Sequence, residues 1–151
     1  MKTLAEIFYD AITSDEYLMA TIGGRVVSTC FEVPPDAEEN TPVPNIIIID
    51  DGFQNQQTTK DCLWEASEDR IQVSVEIAAA SPQDVKAIVR KVRKAIENYI
   101  GTMFSNGQAI PELEILSSDG IAWDWMNPAY YQRLSYQCIT NADIDDGQEN
   151  I

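Results

Sequence analysis

The feature that most constrains the fold is a change of period near residue 80. From Ile71 to Ile77 apolar and polar residues alternate strictly: Ile71, Val73, Val75 and Ile77 fall on one side, Gln72, Ser74 and Glu76 on the other. Period two belongs to a strand with one buried face, most often in an antiparallel sheet. A few residues later the period lengthens. Val85, Ile88, Val89, Val92, Ile96 and Tyr99 fall within about 100° of arc on a helix. Ser81 is placed to cap that helix, Pro82 suits its first position, and Asp84 lies near its positive end. Gly101 reads as its stop. A one-faced strand feeding directly into a one-faced helix predicts a helix packed on a sheet.

The flanking segments extend this plan. Leu4, Ile7, Phe8, Ala11 and Ile12 recur at helical spacing and predict an N-terminal helix. Ser14 reads as the cap of a second, short helix, with Asp15 and Glu16 in its first turn, Tyr17, Leu18 and Ile22 behind, and Gly23-Gly24 ending it. Arg25 to Phe31 reads as a strand. Residues 34–45 read as a loop, because Pro34, Pro35, Pro42 and Pro44 remove donors while Asp36, Glu38 and Glu39 repel one another; it is expected to be mobile in an isolated subunit. Ile46–Ile49 reads as a strand buried on both faces, closed by a turn at Asp50-Asp51-Gly52. A strand is expected over Lys60 to Ala66, with a turn around Ser67-Glu68-Asp69. Ile110 to Leu116 and Ile121 to Trp125 read as short strands joined by Ser117-Ser118-Asp119-Gly120, and Tyr130 to Thr140 as the last strand. The grouping of strands predicts an α+β fold: a mostly antiparallel sheet packed against a long amphipathic helix and an N-terminal helix. The predicted organisation is one domain over residues 1–142 and an acidic, frayed tail over residues 143–151.

Charge and residue usage narrow the function. The 151-residue chain carries 25 acidic against 10 basic residues, a formal net charge of −15. Such a surface repels nucleic-acid backbones and anionic membranes, so neither is an expected partner. There is no histidine, which removes the commonest general base near neutral pH and the commonest metal ligand. No Gly-x-Ser-x-Gly elbow and no phosphate-binding Gly-rich loop occur. Glu112 and Glu114 alternate as a solvated strand face would place them. The expectation is a protein that is not an enzyme and binds no cofactor and no metal. Asn141 to Gly147 has oxygen ligands at alternate positions, but its glycine stands seventh, one place late for a calcium loop, so it reads as an acidic tail. Cys30, Cys62 and Cys138 are widely spaced and odd in number, so each is expected to be a reduced, buried thiol, in keeping with a reducing compartment. Glu6 and Asp10 interrupt the apolar pattern of the N-terminus, which does not read as a signal peptide.

Two surface features admit two readings each. Lys86, Arg90, Lys91, Arg93 and Lys94 supply half of the 10 basic residues and lie off the apolar stripe of the long helix. They make either a solvated face or a docking face for an acidic neighbour, including a second copy of the chain. Trp123, Asp124, Trp125, Met126, Tyr130 and Tyr131 form an aromatic cluster that serves either core packing at a strand turn or an interface.

The order of these elements resembles the tail-completion, or tail-terminator, proteins of long-tailed bacteriophages. The matching pieces are the N-terminal helix running into SDEYLMATIGGRV, the approach TPVPNIIII, the strand RIQVSVEIAAAS entering the helix PQDVKAIVRKVRKAI, and the strand YQRLSYQCIT. They span about Leu4 to Thr140. The chain departs from the pattern in a longer acidic loop at 34–41 and a longer segment between 101 and 130. The resemblance implies a structural virion protein that joins or terminates the tail at the head-tail junction. It also implies a ring, typically of six copies, in contact with tail-tube and connector subunits, made in the host bacterial cytoplasm and then part of the virion. The isolated subunit can be monomeric in this picture. An acidic wall suits a DNA conduit, because it does not retain a passing polyanion. The alternative, from another class, is a small cytoplasmic adaptor or regulatory module with no virion role. For ring contacts the candidate residues are the cations Lys86, Arg90 and Lys94 and the acids Asp36, Glu38, Glu39, Asp50 and Asp51.

Overall fold

The computed structural model describes residues 4–28, 43–57, 67–105, 112–126 and 128–140. The chain folds as α1 (Leu4–Thr13), α2 (Glu16–Ile22), β1 (Val26–Ser28), β2 (Asn45–Gln57), β3 (Ser67–Ala79), α3 (Pro82–Ser105), β4 (Glu112–Ser118), β5 (Ala122–Asp124) and β6 (Ala129–Thr140). The strands form one sheet in the order β1-β2-β3-β6-β4, and β5 also pairs with β6. Only β1 and β2 run parallel; every other pair is antiparallel. The fold is therefore α+β, with the mostly antiparallel sheet and the long and N-terminal helices expected from the periodicity.

The core lies between the helices and one face of the sheet. Ile46 and Ile48 of β2, Ile71, Val73, Val75 and Ile77 of β3, and Leu134, Tyr136 and Cys138 of β6 are all buried. Register explains why they share a face: Ile48 opposes Val75, Val75 opposes Leu134, Val73 opposes Tyr136 and Ile71 opposes Cys138. Against them pack Leu4, Phe8 and Ile12 of α1, Leu18 and Ile22 of α2, and Val85, Ile88, Val89, Val92 and Ile96 of α3. Phe8 meets Tyr136 edge-on, with ring centroids 4.9 Å apart, a favoured geometry for aromatic pairs. The stripes predicted from period two and period 3.6 thus face each other.

Several local readings are corrected. The cap of α2 is Asp15, whose Oδ1 accepts from the Leu18 N–H at 3.0 Å. Ser14 instead closes α1, its hydroxyl donating to Asp10 O at 2.6 Å. Tyr17, grouped with Leu18 and Ile22, points outward and is 83% exposed, while the other two are buried. Gly23 takes the left-handed conformation that ends α2 (φ 64°), and a Cβ there would lie 2.8 Å from the Arg25 guanidinium. That guanidinium is held in place, since Arg25 Nε donates to Pro44 O at 2.9 Å, across the cis Val43-Pro44 bond.

Asp50-Asp51-Gly52 does not close β2. The strand runs on to Gln57, and the pairing steps from Asp50 opposite Val73 to Phe53 opposite Ile71. One extra residue is accommodated there as a bulge, with Gly52 at φ 83° and its N–H bonded to Asp50 Oδ1 at 2.8 Å. The four isoleucines before it are fully buried only on the helix side; Ile47 and Ile49 are half-buried on the other. Ser67, Glu68 and Asp69 belong to β3 rather than to a turn, because β2 and β6 both extend far enough to pair with Asp69. Gly101 lies inside α3, which continues to Ser105. A backbone glycine costs a helix about 1 kcal/mol, and the half-buried Tyr99 and Ile100 packed on the core hold the helix past it. β4 likewise runs through Ser118, beyond the expected turn start.

The strand expected over Lys60 to Ala66, the loop from 34 to 42, the end of the first strand at 29–31, Cys30, Cys62, and the tail over 143–151 with its Asn141 to Gly147 run lie outside the described residues. Cys138 is a buried thiol that forms no disulfide. No helix of the described residues is long and apolar enough to cross a membrane.

Candidate interaction surfaces

α3 separates its two faces cleanly. Val85, Ile88, Val89, Val92, Ala95 and Ile96 are buried, while Lys86, Arg90, Lys91, Arg93 and Lys94 are exposed. Lys86, Arg90 and Lys94 follow one another at intervals of four and so line one ridge of the helix. Lys91 Nζ donates to Thr21 Oγ1 at 3.2 Å, fastening α2 alongside α3. Arg93 and Glu97 act on Tyr136 beneath the helix. Burial pushes the Tyr136 hydroxyl up to about 12, with Arg93 pulling it down and Glu97 adding to the rise.

The acidic candidates divide. Asp36, Glu38 and Glu39 lie outside the described residues. Asp50 and Asp51 both sit in the β2 bulge, but their carboxylates are engaged locally. Asp50 Oδ1 accepts from Gly52 N–H. Asp51 Oδ1 lies 3.1 Å from Arg133 Nη2 on β6, and Asp51 Oδ2 accepts the Ser74 hydroxyl of β3. Arg133 Nη1 also approaches Glu76 Oε2 at 3.9 Å. This network ties three strands together on the face away from the helices. The structure therefore brings the three cations onto one face, and it leaves Asp50 and Asp51 exposed side by side in the bulge with their carboxylates bonded to local donors.

A further surface carries more exposed apolar area than sequence reasoning assigned it. β5 and β6 form a hairpin in which Trp123 opposes Tyr130 and Asp124 opposes Ala129. Asp124 Oδ1 accepts from the Met126 N–H at 3.0 Å and shapes the turn. Trp123 meets Tyr130 with ring centroids 4.8 Å apart and Trp125 at 6.1 Å, and Tyr130 packs against the core. The ring of Trp125 and the side chain of Met126 stand in solvent, 85% and 89% exposed. The aromatic cluster is thus divided: Tyr130 is partly buried against the core, while Trp125 and Met126 stand outside. The signal in the sequence was the bulky Trp125-Met126 pair close before Pro128, a residue that favours turns.

Among the described residues, no group of three or more His, Cys, Asp or Glu side chains is arranged to hold a metal ion. No protein-family model matches the chain, and no curated protein matches it.

Proposed function

We propose that this chain is a structural, protein-binding subunit of a long-tailed phage or prophage, one that joins or terminates the tail at the head-tail junction as a ring. It works without catalysis of its own, by contacting neighbouring copies and the tail-tube and connector subunits. The observation that carries the reading is the surface: a cationic ridge on α3 and an aromatic hairpin tip, unlike in chemistry and carried by different elements. Unlike patches suit a heterologous contact, in which one surface meets a different surface of the next copy and a ring closes. The sequence resemblance to tail-completion proteins supplies the place of assembly.

The test is a particle assay in the strain that carries the gene. Exposed ion pairs contribute only about 0–1 kcal/mol each, so charge on α3 sets register and rate more than affinity. Reversing Lys86, Arg90 and Lys94 together to Glu is expected to leave the subunit folded, because all three side chains are exposed. Electron microscopy is then expected to show heads and tails that fail to join, with infectious yield lost. Normal particles from a deletion of the gene would favour an adaptor with no virion role. Normal particles from the triple variant alone would remove the α3 ridge from the assembly surface.

A further inference from the structure

Deepening the assembly reading, on which it rests, we infer that the hairpin tip of Trp123, Trp125 and Met126 docks on a second copy of this chain, seated on the cationic ridge of α3 formed by Lys86, Arg90 and Lys94.

The tip is an exposed apolar group on a fixed support. Trp125 and Met126 are 85% and 89% exposed, yet the backbone beneath them is held by the β5–β6 pairing and the Met126 N–H bond to Asp124. Trp123, between Trp125 and Tyr130, links the tip to the core. Docking a side chain that already stands on a rigid hairpin costs little ordering entropy. Tryptophan suits such a role, because it offers a large contact area with few rotatable bonds.

The chemistry of the tip selects its occupant. Indole faces attract cations, and the aliphatic stems of Lys and Arg give apolar contact beneath their charges. Asp119, exposed at the start of the β4–β5 connection, adds negative charge to the same sheet edge. What fits is a surface of Lys and Arg side chains. In a chain of 25 acidic and 10 basic residues, such a surface is scarce. Among the described residues, every exposed cation lies on α3, because Arg25, Arg70 and Arg133 are half-buried. Arg25 is engaged with Pro44 and Arg133 with Asp51. Among the described residues α3 is therefore the surface with which a second copy meets the tip through exposed cations. A docked pair keeps one tip and one α3 ridge free, so the contact propagates from copy to copy.

The contact is small and is expected to be weak in free solution, with a dissociation constant on the order of 0.1–1 mM. The test uses the whole chain labelled with 5-fluorotryptophan at low concentration, titrated with unlabelled wild-type chain to about 1 mM and followed by fluorine NMR. The Trp125 resonance is assigned by its loss in Trp125→Phe. It is expected to shift and broaden with wild-type titrant, and to stay in place when the titrant is the K86E/R90E/K94E chain. A neutral titrant, K86Q/R90Q/K94Q, with circular dichroism on both variants, guards against misfolding of the reversed one and is expected to leave the resonance in place as well. A Trp125 resonance that does not move with wild-type chain, or moves equally with the variants, overturns the proposal. Movement with polylysine but not with wild-type chain also overturns it and assigns the tip to a foreign basic partner. The particle assay reads tail joining independently: a stationary resonance leaves that function standing on other surfaces, and normal particles after gene deletion leave a measured self-contact intact.

Discussion

Tyr136 concentrates the conflict between burial and polarity in one side chain. Its ring fills the helix–sheet interface against Phe8, and burial raises its hydroxyl to about 12 from an ordinary 10. The sign of the consequence follows from linkage. The folded chain holds this proton more tightly than the unfolded chain, so the stability is fully present below pH 10 and is lost as pH rises through about 12. Urea midpoints measured across that alkaline window are expected to fall more steeply for wild type than for Tyr136→Phe, which keeps the ring and lacks the hydroxyl. Parallel curves would show that the phenol is not held neutral by the core. Ile88 makes the complementary case, since it is 2% exposed on the inner face of α3 and carries no polar atom. Replacing it with Ala is expected to cost about 2–5 kcal/mol, read from the denaturant midpoint.

Elements differ in how far their residues announce them. Gly101 shows the difference in a testable form. Were it a left-handed cap, Ala would strain it; within α3 it has no positive φ and open space where a Cβ would stand. Gly101→Ala is therefore expected to raise stability by about 1 kcal/mol, and a drop in the denaturation midpoint would return α3 to its shorter form. The inner stripe of α3 and the alternation of Ile71 to Ile77 were legible because burial imposes a period on consecutive residues. The Asp50-Asp51-Gly52 bulge was not, because the side chain-to-backbone bond and positive-φ glycine that end a hairpin strand also build a bulge. The length of the partner strand decides between them, and that information lies far away in sequence. The same reasoning covers the candidate surfaces. The α3 cations were legible because a helix sorts its charges by angle. Trp125 and Tyr130 share a composition cue, and only the hairpin's position over the core separates the half-buried ring from the bare one.

At the scale of the whole molecule, charge is distributed by element. The exposed cations among the described residues are gathered on α3, while Arg133 is spent inside the sheet on Asp51 and Glu76. A net charge of −15 therefore coexists with a cationic ridge, and the charge of the described residues is unevenly spread. Opposed fields of this kind orient partners before they touch. The sheet adds a matter of timing. β6 is the last of the described strands in sequence, yet it stands between β3 on one side and β4 and β5 on the other. A chain growing from its N-terminus completes both helices of the first segment and all of α3 before the strand that joins the two parts of the sheet exists. Until residues 129–140 arrive, β3 has a bare edge and Phe8 lacks the ring it packs against. Contacts between such distant residues form slowly, and exposed edges invite mispairing. Birth order thus leaves the hairpin tip unfinished until β6 locks in, so that no partly made chain carries the complete set of surfaces.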